Sequence, residues 1–198
     1  MSAEISYGTS ISNSAESRDV LGFWLYIMTD CILFASLFAV FVVLHHPGAY
    51  GPSMKPLINL KYVLGETLFL LASNFTFGLA IIASYKNMRN MVVFCLGLTF
   101  LFGLAFVLME VYEFYEFSHL GFSWTTSGAS ASFYALVGTH GLHVLFGLIW
   151  IVVLMVQFFY FGMNNMMQKR MTYLGMFWNF LDIVWIFLFT IVYLMGAM

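Results

Sequence analysis

The chain of 198 residues predicts an all-α integral membrane bundle of five transmembrane helices. Three observations carry that expectation. Hydrophobic residues make up 62% of the chain, charged residues 8%, and the mean hydropathy is +0.92, whereas soluble domains carry about a quarter charged residues. Five apolar runs reach the length of about 20 residues with which a helix crosses a bilayer. Pro47, Pro52 and Pro56 all fall between the first run and the second, so no span is broken by proline.

Residues Met1 to Asp19 are polar and rich in serine, with acids as well as Arg18. They lack the basic start and short apolar core of a secretory signal. They read as a cytoplasmic N-terminal segment, residues 1–19, ahead of one transmembrane domain, residues 20–198. The first span, Leu21 to Leu44, is too long for a removable signal. The other four run roughly from Tyr62 to Ser84, Met91 to Tyr112, Ala131 to Gln157 and Thr172 to Leu194. Each is apolar on all faces, as expected where every backbone group is bonded within its own segment.

Lys and Arg orient the bundle. With the N-terminus inside, the inner segments hold Arg18, Lys86, Arg89, Lys169 and Arg170, and the outer ones only Lys55 and Lys61. That asymmetry puts the N-terminus in the cytoplasm and the C-terminus outside. A net charge of -2 gives no reason to expect nucleic acid as a partner. Cys31 and Cys95 differ in depth by roughly 9 Å at 1.5 Å rise per residue, too far for a bridge. Both read as small apolar core residues. Trp24, Trp124 and Tyr160 suit the aromatic belts at the interfaces.

The polar residues inside the spans are the candidates for function. Asp30 stands in the first span with no Lys, Arg or second acid beside it, an unfavourable position unless the group is neutral or partnered. Asp30 and Asp182 lie about ten residues, so about 15 Å, from a cytoplasmic helix start. With Asn74, His140 and His143 they form a polar layer at mid-depth. Glu66, Glu110 and Glu113 form an acidic group near the outer boundary.

His140 and His143 share a helix face, with Gly138, Gly141 and Gly147 around them. Three roles are open to them: bonding a neighbouring helix, handling protons, or ligating a metal. A haem held across two helices needs a second histidine-bearing span, and His45, His46 and His119 read as lying at or beyond span ends. A carboxylate di-metal site is a rival, since Glu116-Phe-Ser-His119 has the Glu-x-x-His spacing, but such sites use two such pairs. A small proton-coupled transporter is another, though no internal repeat or broken helix supports it.

The stretches Phe23-Trp-Leu-Tyr-Ile-Met-Thr-Asp-Cys-Ile-Leu-Phe34, Met109-Glu-Val-Tyr-Glu-Phe114, Gly138-Thr-His-Gly-Leu-His-Val144 and Phe177-Trp-Asn-Phe-Leu-Asp-Ile-Val-Trp185 resemble subunit III of the haem-copper oxidases. The resemblance is greatest to the five-helix form of cytochrome bo-type ubiquinol oxidases, and it covers the chain from about Gly22 onward. It implies a non-catalytic subunit of a complex that oxidises ubiquinol, reduces oxygen to water and pumps protons. The haems and copper would belong to subunit I, with no catalytic, cofactor or metal residue in this chain. Subunits I, II and IV would be its partners, phospholipid would fill a cleft between helices, and the bacterial inner membrane would be its location. Asp30 falls where the family keeps a buried carboxyl. Asn179 stands where relatives usually have His, and the two extra N-terminal helices of the cytochrome c oxidase branch are missing, so lipid contacts made by those helices do not carry over.

Overall fold

In hydrocarbon a backbone amide finds no water, so a chain this apolar satisfies its polar groups only within helices. The computed structural model bears this out and describes residues 2–44, 60–119, 124–162 and 164–194. Five helices follow in order: α1 (Ser2–Leu44), α2 (Leu60–Tyr85), α3 (Arg89–His119), α4 (Gly128–Phe161) and α5 (Asn165–Leu188). The last runs on into a π-helical turn, π1 (Phe189–Leu194). Each helix contains a segment long and apolar enough to cross a membrane. His45, His46, Lys55 and the three prolines lie outside the described residues.

Helix ends have local causes. Ser127 and Ser130 exchange hydrogen bonds at the start of α4: the Ser130 N–H donates to Ser127 Oγ at 3.1 Å, and the Ser127 N–H to Ser130 Oγ at 3.0 Å. That capping box sets where the helix begins. Between α2 and α3, Asn87 takes a φ of 54° and the Met88 N–H reaches back to the Ala83 carbonyl at 3.1 Å. Such a left-handed residue closes a helix end, and Asn tolerates it.

Several bounds differ from expectation: α1 starts at Ser2 rather than Leu21, and α4 runs from Gly128 to Phe161 rather than from Ala131 to Gln157. The third helix was expected to end at Tyr112 but continues to His119, because no breaker intervenes and Phe117 is buried. Glu116 and His119 therefore sit on a helix rather than in a loop. The fifth begins at Asn165 instead of Thr172, and its polar first turns still bury Met167 and Met171. Cys31 is exposed, which corrects its reading as a core residue, whereas Cys95 is buried. A lipid-facing position accepts a small apolar residue as readily as the core does.

The chain forms two compact units, Met1–Ser36 and Leu37–Met198. In the first, Ile27, Asp30 and Phe34 are the buried positions among the described side chains and follow the spacing of one helix face. In the second, α2 packs on α3 and α5, and α4 packs on the same two, so the four helices close a ring. Trp178 of α5 lies within it, 1% exposed. Its indole N–H donates to Ser73 Oγ on α2 at 3.1 Å, and that hydroxyl donates to the Thr99 carbonyl on α3 at 3.1 Å. Glycines make room for the ring. A Cβ at Gly147 of α4 would stand 2.6 Å from Trp178 Cζ3, and one at Gly103 of α3 would stand 3.1 Å from Cζ2.

Gly147→Ala is therefore expected to destabilise the bundle by about 1–3 kcal/mol, the usual penalty of overpacking. Ser73→Ala should lose about 1–3 kcal/mol by leaving a buried indole N–H unsatisfied. Gly97→Ala, where a Cβ meets nothing within 4 Å, should be neutral or slightly stabilising. Denaturant unfolding in detergent, followed by tryptophan fluorescence, measures all three.

Candidate functional site

Near the start of α2 and towards the end of α3 three carboxyl groups are withdrawn from the surface. Glu66 is 0% exposed, Glu110 3% and Glu113 4%. Glu110 and Glu113 are three apart on α3 and so share a face, and Glu66 lies near enough to feel the charge of both. The Tyr193 hydroxyl, carried by π1, donates to Glu113 Oε2 at 2.7 Å. Glu110 presses its carboxyl onto α4 at Gly141, where a Cβ would stand 2.5 Å from Oε1. Glu66 and Glu110 make no hydrogen bond among the described residues. Beside this group, a cleft of about 470 Å³ runs between α3 and α4, bordered by Glu110, Phe114, Tyr134, Gly138 and Gly141.

Next to the acids stands an aromatic stack. His140, fully buried, lies against Trp185 of α5 with ring centres 5.3 Å apart and planes 29° from parallel. Phe106 stands perpendicular to both rings, with ring centres 5.9 Å and 4.7 Å away, an arrangement aromatic quadrupoles favour. The Trp185 indole donates to Thr67 Oγ1 at 3.0 Å, tying α5 to α2. His143 is half-buried, and its Nδ1 lies 2.7 Å from the Thr139 carbonyl of its own helix.

The remaining polar residues divide between two places. Asn74 Nδ2 donates to Asn179 Oδ1 at 2.8 Å across the α2–α5 seam. Asp182 is buried beside them, with Asn74 next to its carboxyl but neither oxygen in a well-formed hydrogen bond. Asp30 belongs to the other unit, where Tyr26, one turn earlier, reaches its carboxyl. The structure thus joins Asn74 with Asp182, sets His140 among aromatics, and gathers Glu66, Glu110 and Glu113. Tyr193, Trp185, Thr67 and Tyr26 escaped the sequence reading. A hydroxyl or indole near the depth of a buried acid or threonine was the available signal. His119 packs against Tyr115, ring centres 4.4 Å apart. Among the described residues no three His, Cys, Asp or Glu side chains converge closely enough to hold a metal ion.

A scan against family profiles matches residues 3–197 to "Cytochrome c oxidase subunit III". The chain belongs to the cytochrome c oxidase subunit III family. It is similar to cytochrome bo(3) ubiquinol oxidase subunit 3 of Pseudomonas aeruginosa, 47% identical over 195 residues, covering 98% of this chain and 93% of that one. The protein of the same name in Pseudomonas putida is 50% identical over 179 residues, covering 90% and 86%. Cytochrome c oxidase subunit 3 of Bacillus subtilis is 40% identical over 181 residues, covering 89% and 86%. The family match spans all five helices, so the acidic group, the aromatic stack and the asparagine pair are all built on that family's scaffold.

For the Tyr193–Glu113 bond the expected outcomes separate partner from charge. Tyr193→Phe removes the donor and should destabilise the bundle by about 1–3 kcal/mol. Glu113→Gln keeps an acceptor oxygen and should stay close to wild type. Thermal unfolding of the two variants in detergent checks the difference; equal losses would show that the charge, rather than the hydrogen bond, matters.

Proposed function

We propose that this chain is the non-catalytic subunit III of a haem-copper terminal oxidase, a proton-pumping ubiquinol:oxygen oxidoreductase of the aerobic respiratory chain. The observation that carries the reading is the near full-length similarity to proteins named as subunit 3 of cytochrome bo(3) ubiquinol oxidase. The 50% and 47% identities to the Pseudomonas proteins exceed the 40% to the Bacillus subtilis cytochrome c oxidase subunit, which favours the ubiquinol branch. Haems and copper, held in subunit I, supply electron transfer and oxygen reduction. This chain's own residues hold a bundle together and offer surfaces to subunits I, II and IV and to phospholipid.

On this reading Asp30, Asn74, His140, His143 and Asp182 serve packing and assembly, and so do Glu66, Glu110 and Glu113. The distribution of Lys and Arg supports an inner-membrane protein with its N-terminus in the cytoplasm and its C-terminus in the periplasm. Neither a transporter nor a di-metal enzyme is favoured, because the full-length relatives carry oxidase-subunit names.

The test is purification from gently solubilised membranes through a tag on this chain. A haem-bearing partner and ubiquinol oxidase activity should co-purify. The chain stripped from its partners should show no Soret band and no stoichiometric metal. A tagged chain that brings down no haem protein refutes the reading. Within the complex, Asp30→Asn preserves shape and hydrogen bonding and should leave activity and subunit content near wild type. Asp30→Leu removes the polar group and should weaken retention of this subunit, measured as its ratio to haem.

A further inference from the structure

Most exposed side chains along the spans are apolar; Leu101 and Leu108 on α3, and Phe146 and Ile149 on α4, show surfaces suited to acyl chains. The α2–α5 seam departs from this. Halfway along both spans Asn179 is exposed and Asn74 half-buried, while neighbouring Leu71 and Phe75 are exposed and apolar. The bond between the two amides uses one N–H of Asn74 and the oxygen of Asn179. The N–H groups of Asn179 and the oxygen of Asn74 make no further hydrogen bond among the described residues, although Asn74 also approaches Asp182. At this depth neither water nor a lipid headgroup is within reach, so amide groups left open are strongly disfavoured.

The shape of the seam matches its chemistry. One turn along α2 from Asn74 stands Gly78, where a Cβ would meet nothing within 4 Å. Gly78, the two asparagines, Leu71, Phe75 and Ile81 border a notch of about 310 Å³. A small residue beside polar amides is the combination that lets two membrane helices approach and bond. We propose that this notch is the docking surface for a transmembrane helix of another subunit, which brings a hydroxyl or amide side chain to mid-membrane depth and completes the hydrogen bonds of Asn74 and Asn179. Such a side chain both donates and accepts, as the open Asn179 N–H groups and Asn74 oxygen require. A cation would satisfy only the acceptor, and an acyl chain would satisfy neither. That the helix comes from a different subunit rests on the oxidase reading above.

Two measurements on the tagged complex in native membranes test the proposal. With photoreactive p-benzoylphenylalanine in place of Phe75, irradiation should link this chain to a helix of another subunit, identified by mass spectrometry. The same probe in place of Phe146 should give mainly lipid adducts. Adducts at position 75 to phospholipid alone, to a second copy, or to this chain's own residues overturn the proposal. A Cβ at Gly78 meets nothing within 4 Å, so Gly78→Leu projects into the notch rather than into the packed interior, and the subunit should still insert and fold. Its ratio to haem after purification should fall at least tenfold, whereas Gly97→Leu, equally open on α3, should keep the wild-type ratio. Retention of Gly78→Leu at the wild-type ratio, or equal loss of both variants, overturns the proposal. If even the wild-type chain brings down no haem, the oxidase reading fails instead, and the crosslink still reports what covers the seam.

Discussion

Ring closure among α2, α3, α4 and α5 depends on fitting one indole where four helices meet. In lipid, association of apolar helices gains nothing from excluding water, so packing and hydrogen bonds decide which helices touch. Trp178 supplies both. Its ring fills the space left by Gly103 and Gly147, and its N–H joins α5 to Ser73 of α2 and, through that hydroxyl, to the Thr99 carbonyl of α3. Thr76 and Thr99 share a further bond at 2.9 Å, so α2 and α3 are sewn together by hydroxyls at the same level. Three helices are thus linked by hydrogen bonds and the fourth by the absence of a side chain.

That junction bears on the residues around it. Trp185, two turns further along α5, repeats the device with Thr67 and carries His140 on its face. Tyr193, two turns beyond that, meets Glu113. One face of α5 and π1 therefore presents Trp178, Trp185 and Tyr193 in succession, each with its polar atom bonded to another helix. The three acids lie where this ladder finishes. Glu113 is bonded into it, whereas Glu110 is accommodated by the missing side chain at Gly141. Polar groups are kept inside by specific partners or specific gaps, which is how a bundle with few charges acquires a unique arrangement.

The five spans were legible because length and hydropathy are local properties of the chain. The family was legible too, since four motifs stand in order on separate helices. Which way a residue faces was not. Cys31 and Cys95 look alike in composition, yet one is exposed and the other buried, because hydrocarbon and protein core both accept a thiol. The end of α3 was read at the first cluster of acids, but Glu113 is buried against Tyr193 and the helix runs on. Depth placed Asn74 and Asp182 at one level, but only the crossing of α2 and α5 shows that they meet, and that Asn179 joins them. Periodicity gives little help, since helices that are apolar all round carry no stripe marking the inner face.

What does mark the inner face is pairing between bulk and absence. Gly103 and Gly147 lie on two helices, yet both answer the same tryptophan. Gly175 of α5 answers Phe77 and Ile81 of α2 in the same way, with a Cβ there standing 2.9 Å from each. Gly22 in α1, and Gly78 and Gly97 in the ring, answer nothing among the described residues. A glycine in a helix interior is disfavoured relative to alanine by about 1 kcal/mol, and where the chain itself does not use the space, the physical reason has to be sought outside it. For Gly78 the neighbouring amides supply a direction, since they too are incomplete within the chain. For Gly97 nothing comparable stands nearby, and a gap without polar neighbours is as compatible with an acyl chain as with a protein. Gly78 and Gly97 thus differ in what surrounds them rather than in themselves, and it is the chemistry of the rim that separates an assembly contact from a lipid contact.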